Sequence, residues 1–214
     1  MTPTSPNEVT WHPETLAAST DAALRLMRDQ ALLGGVYLAG GTGFSLRFGH
    51  RISVDLDFFS PDLFDEEILL QRIQNLSGFS LVTKSSHTLH AVIQETKVSF
   101  LGYAYPLLFP AVPFQGVPVA DPRDIACMKI SAVAGRGTKR DFVDFYVACR
   151  EYGLRELLQL FAQKFEQTSY NQIHVLKSLM FFQDAEKDPM PHMLIPLDWD
   201  EVKSYFRREV PALL

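Results

Sequence analysis

Apolar residues recur at helical spacing near the start of the chain and again in its second half, and alternating patterns lie between these two regions. The first periodic stretch predicts a helix from about Pro13 to Leu33, because apolar side chains three or four residues apart fall on one face of a helix. Gly34 and Gly35 are expected to end it. Val36–Ala39 follows as a short apolar segment of strand type.

Strict alternation appears in Ile52–Phe58, where apolar residues are interleaved with Ser53, Asp55 and Asp57. This pattern predicts a strand with one apolar and one polar face. Further strands, expected to form consecutive hairpins, are predicted at Phe79–Thr83, Thr88–Ile93 and Lys97–Tyr103. Asp65–Leu76 is predicted to be an amphipathic helix, and Val117–Val119 an additional edge strand.

Helical periodicity dominates from Pro122 onward. The predicted helices are Pro122–Ala134, Lys139–Glu151, Leu154–Phe165, Gln172–Phe182 and Asp198–Glu209. We therefore expect an α+β protein in which residues 1–120 form an α/β core with an N-terminal helix and residues 121–214 form a helical subdomain.

Composition restricts the classes of protein that this chain can represent. Of its 214 residues, 47% are apolar and 21% are charged, so a folded core is expected and global disorder is not. The net charge of −5 means that any nucleic-acid contact needs a local basic patch. The sequence lacks an apolar run of 18 residues, so we expect no membrane partner. We expect a short disordered lead at Met1–Val9, which does not resemble a signal peptide, and a cytoplasmic location.

Asp55 and Asp57 are the first candidates for chemistry. Residues two apart on a strand point to the same side, about 6–7 Å apart, so both carboxylates can reach one divalent ion. Mg²⁺ prefers oxygen ligands and often shares them with substrate phosphates. The pair predicts a Mg²⁺ site, with a solvated strand face as the alternative.

Gly40, Gly41 and Thr42 form a turn between the predicted strand and a short helix expected at Phe44–Phe48. Glycine lets a ligand approach the backbone closely, and a helix N-terminus favours phosphate. Thr42 could cap the helix or donate its hydroxyl to a phosphate. An ordinary strand-to-helix turn is the alternative.

The segment from Gly40 to Phe58 resembles the first motif of the DNA polymerase β-like nucleotidyltransferase superfamily, in which a glycine turn faces an Asp-x-Asp pair. The intervening Gly49-His50-Arg51-x-Ser53 is similar to the AbiEii family, the nucleotidyltransferase toxins of certain bacterial toxin–antitoxin pairs. The resemblance implies a nucleotidyltransferase-like mixed sheet with flanking helices. It also implies nucleotide-binding roles for Arg51 and Ser53, although a packed histidine remains the favoured role for His50.

A second segment supports the same resemblance. Lys129 on a predicted helix is followed by Arg136 in a turn and by Lys139-Arg140-Asp141 at the next helix start. We expect Lys129 to lie on a polar helix face and contact phosphate, with Arg136, Lys139 and Arg140 forming a basic patch for a triphosphate or an RNA backbone. Asp141 is either part of the nucleotide site or half of a capping box with Thr138. Asp144 is expected to pair with Arg140.

The pattern departs from the superfamily at the third carboxylate, which often lies on a neighbouring strand. Ser99 occupies the expected position and is neither an anionic metal ligand nor a base at neutral pH. Glu95 has the same strand parity, but its neighbours predict a turn. A two-metal mechanism is therefore in doubt.

Together these features predict an enzyme that transfers a nucleoside monophosphate from an NTP to an acceptor hydroxyl. Asp55, Asp57 and Lys129 are its expected catalytic residues. By resemblance the acceptor could be tRNA, and a cognate antitoxin could be a partner. The alternatives are a non-catalytic nucleotide- or partner-binding protein on the same fold and a small-molecule nucleotidyltransferase.

Overall fold

The computed structural model describes residues 9–213, which form a seven-stranded mixed sheet with helices packed against it. The strands are β1 (Tyr37–Leu38), β2 (Asp55–Ser60), β3 (Ser80–Ser85), β4 (Thr88–Ile93), β5 (Thr96–Gly102), β6 (Val112–Phe114) and β7 (Val117–Val119). The α-helices are α1 (Ala18–Asp29), α2 (Gly40–Phe48), α3 (Glu66–Ile73), α4 (Pro122–Gly135), α5 (Lys139–Tyr152), α6 (Leu154–Lys164), α7 (Gln172–Ser178) and α8 (Trp199–Glu209). Short 3₁₀ helices occupy Pro13–Thr15, Ala185–Lys187 and Val210–Leu213.

The strand order is β3-β4-β5-β2-β1-β7-β6, which places β2 in the middle of the sheet. β2 runs parallel to β5 and antiparallel to β1, while β3, β4 and β5 form consecutive antiparallel pairs. The register sets Asp57 opposite Ser99 and Asp55 opposite Lys97. The predicted α+β class is confirmed, and the hairpin order of the three strands was also predicted correctly.

Local sequence explains where several helices begin. Asp65 caps α3 by accepting hydrogen bonds from the backbone N–H groups of Glu67 and Ile68. Asp121 caps α4 in the same way, and Pro122 at its first position has the backbone angle that a helix start needs. Asp198 caps α8 by accepting from the N–H of Glu201.

Two buried clusters hold the sheet and the helices together. Leu56 and Phe58 of β2 pack into one of them, where the Phe58 and Phe100 rings stack with centroids 5.3 Å apart. The second cluster unites the helices after residue 121 with Tyr37 and Phe44. Because Leu56 and Phe58 fill a core on one face of β2, the alternating Asp55 and Asp57 face the other side.

The first helix is shorter than predicted. Thr15 and Leu16 pair with Ser53, the backbone O of Thr15 accepting from the N–H of Ser53 at 2.9 Å, so the chain leaves helical geometry until Ala18. At the other end Ala31 adopts a positive φ of 52°, which ends the helix before the glycine pair.

The strand predicted at Ile52–Phe58 begins at Asp55 instead. Ile52 donates its N–H to the backbone O of His192, so this part of the chain pairs with loops rather than with the sheet. Val54 was expected in the core, but 52% of it is exposed for the same reason.

Val117–Val119 was wrongly predicted to be an edge strand. It lies between β1 and β6, and β6 is the edge. β6 was not predicted because Pro113 lies within it. Proline is found in strands mainly at the edge of a sheet, so its presence argues against a strand elsewhere.

Residues 9–213 contain no helix that is both long enough and apolar enough to cross a membrane. Apart from Val9, the predicted disordered lead at Met1–Val9 lies outside the described residues.

Candidate active site

Asp55 and Asp57 line one cleft of about 510 Å³ between the sheet and the helices that follow residue 121. Lys129 and Arg136 of the α4 region border the same cleft, as does Arg140 of α5. The Arg140 guanidinium lies 3.4 Å from a carboxylate oxygen of Asp55, and half of the Arg140 side-chain surface is exposed to solvent. The structure therefore brings acidic residues of the sheet and basic residues of the helices to one place.

Gly40 forms the floor of this cleft beside Asp57. Its φ is +61°, and a Cβ built on it would lie 2.5 Å from Oδ2 of Asp57. Helix α2 starts at Gly40 rather than at Phe44, so Gly40, Gly41 and Thr42 form its first turn. The first N–H groups of a helix have no partner within it, so those of this turn, which lies beside Asp57, are available for phosphate.

At Gly41, glycine is needed because of a neighbouring side chain. A Cβ there would lie 2.4 Å from Nη2 of Arg51, so the missing side chain makes room for the guanidinium. Arg51 binds Asp144 with two hydrogen bonds of 2.7 and 2.8 Å and is 4% exposed. Its principal partner in the described structure is thus a buried carboxylate, although part of Arg51 still lines the cleft.

Thr42 does not offer its hydroxyl to the cleft as predicted. The side chain is buried and its Oγ1 contacts the backbone O of Asp55 and, at 2.8 Å, Oγ of Ser53. Thr42 and Ser53 thus tie α2 to the start of β2. The hydroxyl of Thr42 positions the backbone that carries Asp55, and it does not cap the helix.

Asp144 is the centre of a buried ionic cluster. It accepts from Arg51, from Nε2 of His50 at 2.8 Å, and from Lys129 at 2.7 Å. Burial alone would raise the pKa of Asp144, but the charges of Arg51 and Lys129 hold it well below its ordinary value. The predicted pairing of Asp144 with Arg140 is wrong, because Asp144 faces the interior while Arg140 turns toward Asp55.

Lys129 connects this cluster to the cleft. Its Nζ also lies 3.0 Å from Asp141, and the residue is 6% exposed. The expected position on a polar helix face is therefore wrong: Lys129 lies in the interior wall and reaches the cleft from there. Burial would lower the pKa of Lys129, but Asp144 and Asp141 raise it, so the ammonium stays charged.

Asp141 joins several donors near the start of α5. Besides Lys129 it accepts from Nε of Arg136 at 3.2 Å and from the Thr138 hydroxyl at 2.5 Å. Burial opposes ionisation of Asp141, yet Lys129 and Arg136 bring its pKa below the ordinary value. The proposed capping box is wrong, since Thr138 donates to the carboxylate and caps no backbone N–H.

The predicted basic patch is smaller than expected. Lys139 donates its ammonium to the backbone O of Asp188 and is 7% exposed, which removes it from the cleft. Arg136 and Arg140 remain at the cleft, with 63% and 50% of their side-chain surface exposed. Within the predicted basic patch, these two arginines are the cations that can meet an incoming anion in the cleft.

Asp57 is partly buried where it lines the cleft, opposite Ser99. Burial raises the pKa of Asp57, a hydrogen bond from Ser99 lowers it, and the net pKa is raised. Glu95 lies in the exposed turn between β4 and β5 with a φ of 63° and does not line the cleft. The position opposite Asp57 is thus held by a neutral hydroxyl.

Two carboxylates suit a divalent ion that arrives with its own ligands. No group of three or more His, Cys, Asp or Glu residues suited to a metal was found among residues 9–213. Asp55 and Asp57 would fit Mg²⁺ when nucleotide phosphates and water supply the remaining oxygens.

His90 also lines the cleft, although its position in the predicted strand Thr88–Ile93 indicated no role for it. Its Nδ1 lies 3.1 Å from Oγ of Ser99, directly across the β4–β5 pair. The hairpin register would have revealed it, because a tight turn at Gln94–Glu95 sets His90 opposite Ser99. The His50–Asp144 contact spans 94 positions and had no comparable local signal.

Comparison with known families agrees with this geometry. The model described as nucleotidyl transferase AbiEii toxin, type IV toxin–antitoxin system, matches residues 24–112 and 102–213. The chain belongs to the AbiEii nucleotidyltransferase toxin family. An uncharacterized protein of Aquifex aeolicus (strain VF5) is 36% identical over 198 residues, covering 90% of this chain and 94% of the relative.

Solved structures show the same fold at low sequence identity. The nucleotidyltransferase toxin MenT4 of Mycobacterium tuberculosis H37Rv is 17% identical, with a TM-score of 0.55 over 92% of this chain and 86% of that chain. The antibiotic-resistance factor ANT(2″)-Ia is 15% identical, with a TM-score of 0.52 over 70% of this chain and 90% of that chain. The nucleotidyltransferase-like mixed sheet predicted from the first motif is confirmed.

Proposed function

We propose that this chain transfers a nucleoside monophosphate from an NTP to an acceptor hydroxyl, with tRNA as the acceptor and toxicity as the outcome. The observation that carries the proposal is the single cleft in which Asp55 and Asp57 face Arg136, Arg140 and Lys129. Membership of the AbiEii toxin family supports it and makes a cognate antitoxin the expected partner.

The first task of the cleft is to hold the triphosphate. Arg136 and Arg140 are accessible cations and can each present a planar fork of N–H donors to phosphate oxygens. The N–H groups of Gly40 and Gly41 add donors at the start of α2. Lys129 contributes a fixed positive charge in the wall, because its two aspartate partners keep it protonated.

Asp55 and Asp57 would hold Mg²⁺, which when bound neutralises charge on the phosphates. Arg140 contacts Asp55 in the described structure, so its guanidinium can change partner from the carboxylate to the nucleotide phosphates when nucleotide binds. Binding then replaces one ion pair by another without leaving Asp55 unpaired.

Catalysis by these residues consists of positioning and charge stabilisation. The acceptor oxygen attacks the α-phosphorus in line, the bond from the α-phosphorus to the bridging oxygen breaks, and pyrophosphate leaves with the electron pair. Preorganised cations such as Arg136 and Lys129 stabilise the charge that develops on the phosphoryl oxygens. The buried Asp144 cluster keeps Lys129 in place during this step.

A direct test is incubation of the protein with each α-labelled NTP and Mg²⁺, with and without total tRNA. We expect labelled tRNA with at least one NTP, and none with Asp55→Asn, which removes one anionic ligand. Label on an added aminoglycoside instead of tRNA would favour the small-molecule alternative. Measurable NTP binding without any transfer would favour the non-catalytic one.

A further inference from the structure

The position that lacks a carboxylate is connected to a histidine on the next strand. Ser99 lies on β5 opposite Asp57 of β2 and, on its other side, opposite His90 of β4. Nδ1 of His90 is 3.1 Å from Oγ of Ser99. Ser99 is also the register partner of Asp57, and its hydroxyl opposes the rise in the Asp57 pKa that burial causes. All three side chains line the cleft, so they form a row across three adjacent strands at its floor.

The chemistry of this row determines which ring nitrogen of His90 carries the proton. An ionised carboxylate only accepts hydrogen bonds, so the Ser99 hydroxyl, which lies opposite Asp57, is placed to donate to it. The hydroxyl oxygen is then left to accept, and Nδ1 of His90 must be the donor. In the neutral imidazole Nε2 consequently has a free lone pair.

We propose that His90 is the general base that removes the proton from the acceptor hydroxyl, in place of the missing third carboxylate. This inference rests on the proposed transfer reaction. Nε2 accepts the proton as the acceptor oxygen forms its bond to the α-phosphorus. Pyrophosphate departs with the electron pair of the broken bond, and His90 then releases the proton to water.

The other candidates for this role are less suitable. Glu95 lies in the exposed turn at the end of the hairpin. Asp141 already accepts hydrogen bonds from Lys129, Arg136 and Thr138. Burial raises the pKa of Asp141, but the charges of Lys129 and Arg136 lower it more, so Asp141 is a weak base. Lys97, two residues before Ser99 on the same face of β5, is a cation. His90 therefore combines access to the cleft with a basic atom that has no assigned partner among the described residues.

The kinetic test compares His90→Gln with the wild type. Glutamine can still donate a hydrogen bond to Ser99 but cannot take up a proton. We expect kcat to fall by about 10²–10⁴-fold, the usual contribution of a general base, while NTP affinity stays within about threefold. His87→Gln is the matched control, since His87 lies in the turn just before β4 and its Nδ1 contacts the backbone O of Phe64 outside the cleft. The kcat of this variant should be unchanged.

A second measurement does not depend on transfer. The ¹⁵N chemical shifts of the imidazole should show His90 of the wild type with the proton on Nδ1, and Ser99→Ala should raise the fraction with the proton on Nε2. A wild type with the proton on Nε2, or a His90→Gln variant whose kcat is within threefold of the wild type, would overturn the assignment of His90. If the wild type transfers nothing to any acceptor, the proposed function itself is wrong. This outcome is distinguishable from a wrong assignment of His90, because it is seen with the wild type alone.

Discussion

The ammonium of Lys129 lies 2.7 Å from the carboxylate of Asp144, whose side chain is fully buried, while 8% of the Lys129 side chain remains exposed. This pair joins α4 to α5 and, through Arg51, to the segment that precedes β2. Lys129 thus has a structural role in addition to the proposed phosphate contact. A lysine on a polar helix face, as predicted for Lys129, would contribute little to stability, whereas this buried pair makes Lys129 part of the fold.

We predict that Lys129→Ala lowers the free energy of unfolding by about 3–5 kcal/mol, since breaking a buried ion pair leaves an uncompensated charge. NTP affinity of the folded variant should also fall. Urea denaturation and calorimetry at low temperature measure the two effects separately.

Lys164→Ala is the matched control for Lys129→Ala. Lys164 is a buried lysine that lies 2.7 Å from Asp124, outside the cleft. It should lose comparable stability and keep NTP affinity per folded molecule. Equal NTP affinity in the wild type and folded Lys129→Ala would show that Lys129 is structural only.

Acid should unfold this protein through Asp144. Its folded pKa is held far below that of an unfolded aspartate, about 3.9, so its contribution is complete above that pH and is lost as pH falls toward the folded pKa. Urea midpoints should therefore decline below about pH 4 in the wild type. Asp144→Asn should be less stable at pH 7 and have a flatter acid limb, whereas Asp184→Asn, in an exposed pair with Lys187, should behave as the wild type.

Asp57→Asn should be inactive and more stable. The raised pKa of Asp57 means that its ionised form is less favourable in the folded protein than in the unfolded chain at neutral pH, chiefly because of burial. Removing the charge should raise Tm by about 2 °C, as is common for functional residues. The carboxylate of Asp55 is paired with the accessible Arg140, so Asp55→Asn should lose transfer without a rise in Tm. An equal rise in Tm for both variants would indicate that burial of Asp57 does not cause the stabilisation.

Mg²⁺ should bind measurably only together with nucleotide. Two carboxylates are too few ligands for tight capture, and Arg140 competes for one of them. Titration calorimetry of the free protein should show no saturable heat with Mg²⁺ alone, and a clear signal once an NTP is present. Micromolar affinity of the free protein for Mg²⁺ would mean that a further ligand has been missed.

Glu95→Gln should leave transfer nearly unchanged, because Glu95 lies in the exposed β4–β5 turn. The measurement is kcat with saturating NTP. A loss of more than about 100-fold with intact NTP binding would identify Glu95 as the third carboxylate after all and would argue against His90.

The sequence by itself determined the parts of the protein that depend on near neighbours. Alternation in β2 put Asp55 and Asp57 on one face, the turn residues predicted the β4–β5 hairpin, and Asp121-Pro122 predicted the start of α4. The family resemblance placed Ser99 at the position of the missing carboxylate on a neighbouring strand, and the register sets it opposite Asp57. The division of the chain near residue 120, the roles of the site residues and the cytoplasmic location remain predictions.

Tertiary structure decided which charged groups face each other. Arg51 and Asp144 are 93 positions apart, and local spacing favoured Arg140 as the partner of Asp144 instead. Burial explains the observed partners. Asp144 lies in the interior and requires nearby cations, whereas Arg140 lies at the rim and can reach the cleft. The same physical reason explains Thr42 and Lys129, whose polar groups are used inside the fold because buried donors need partners that only distant segments supply.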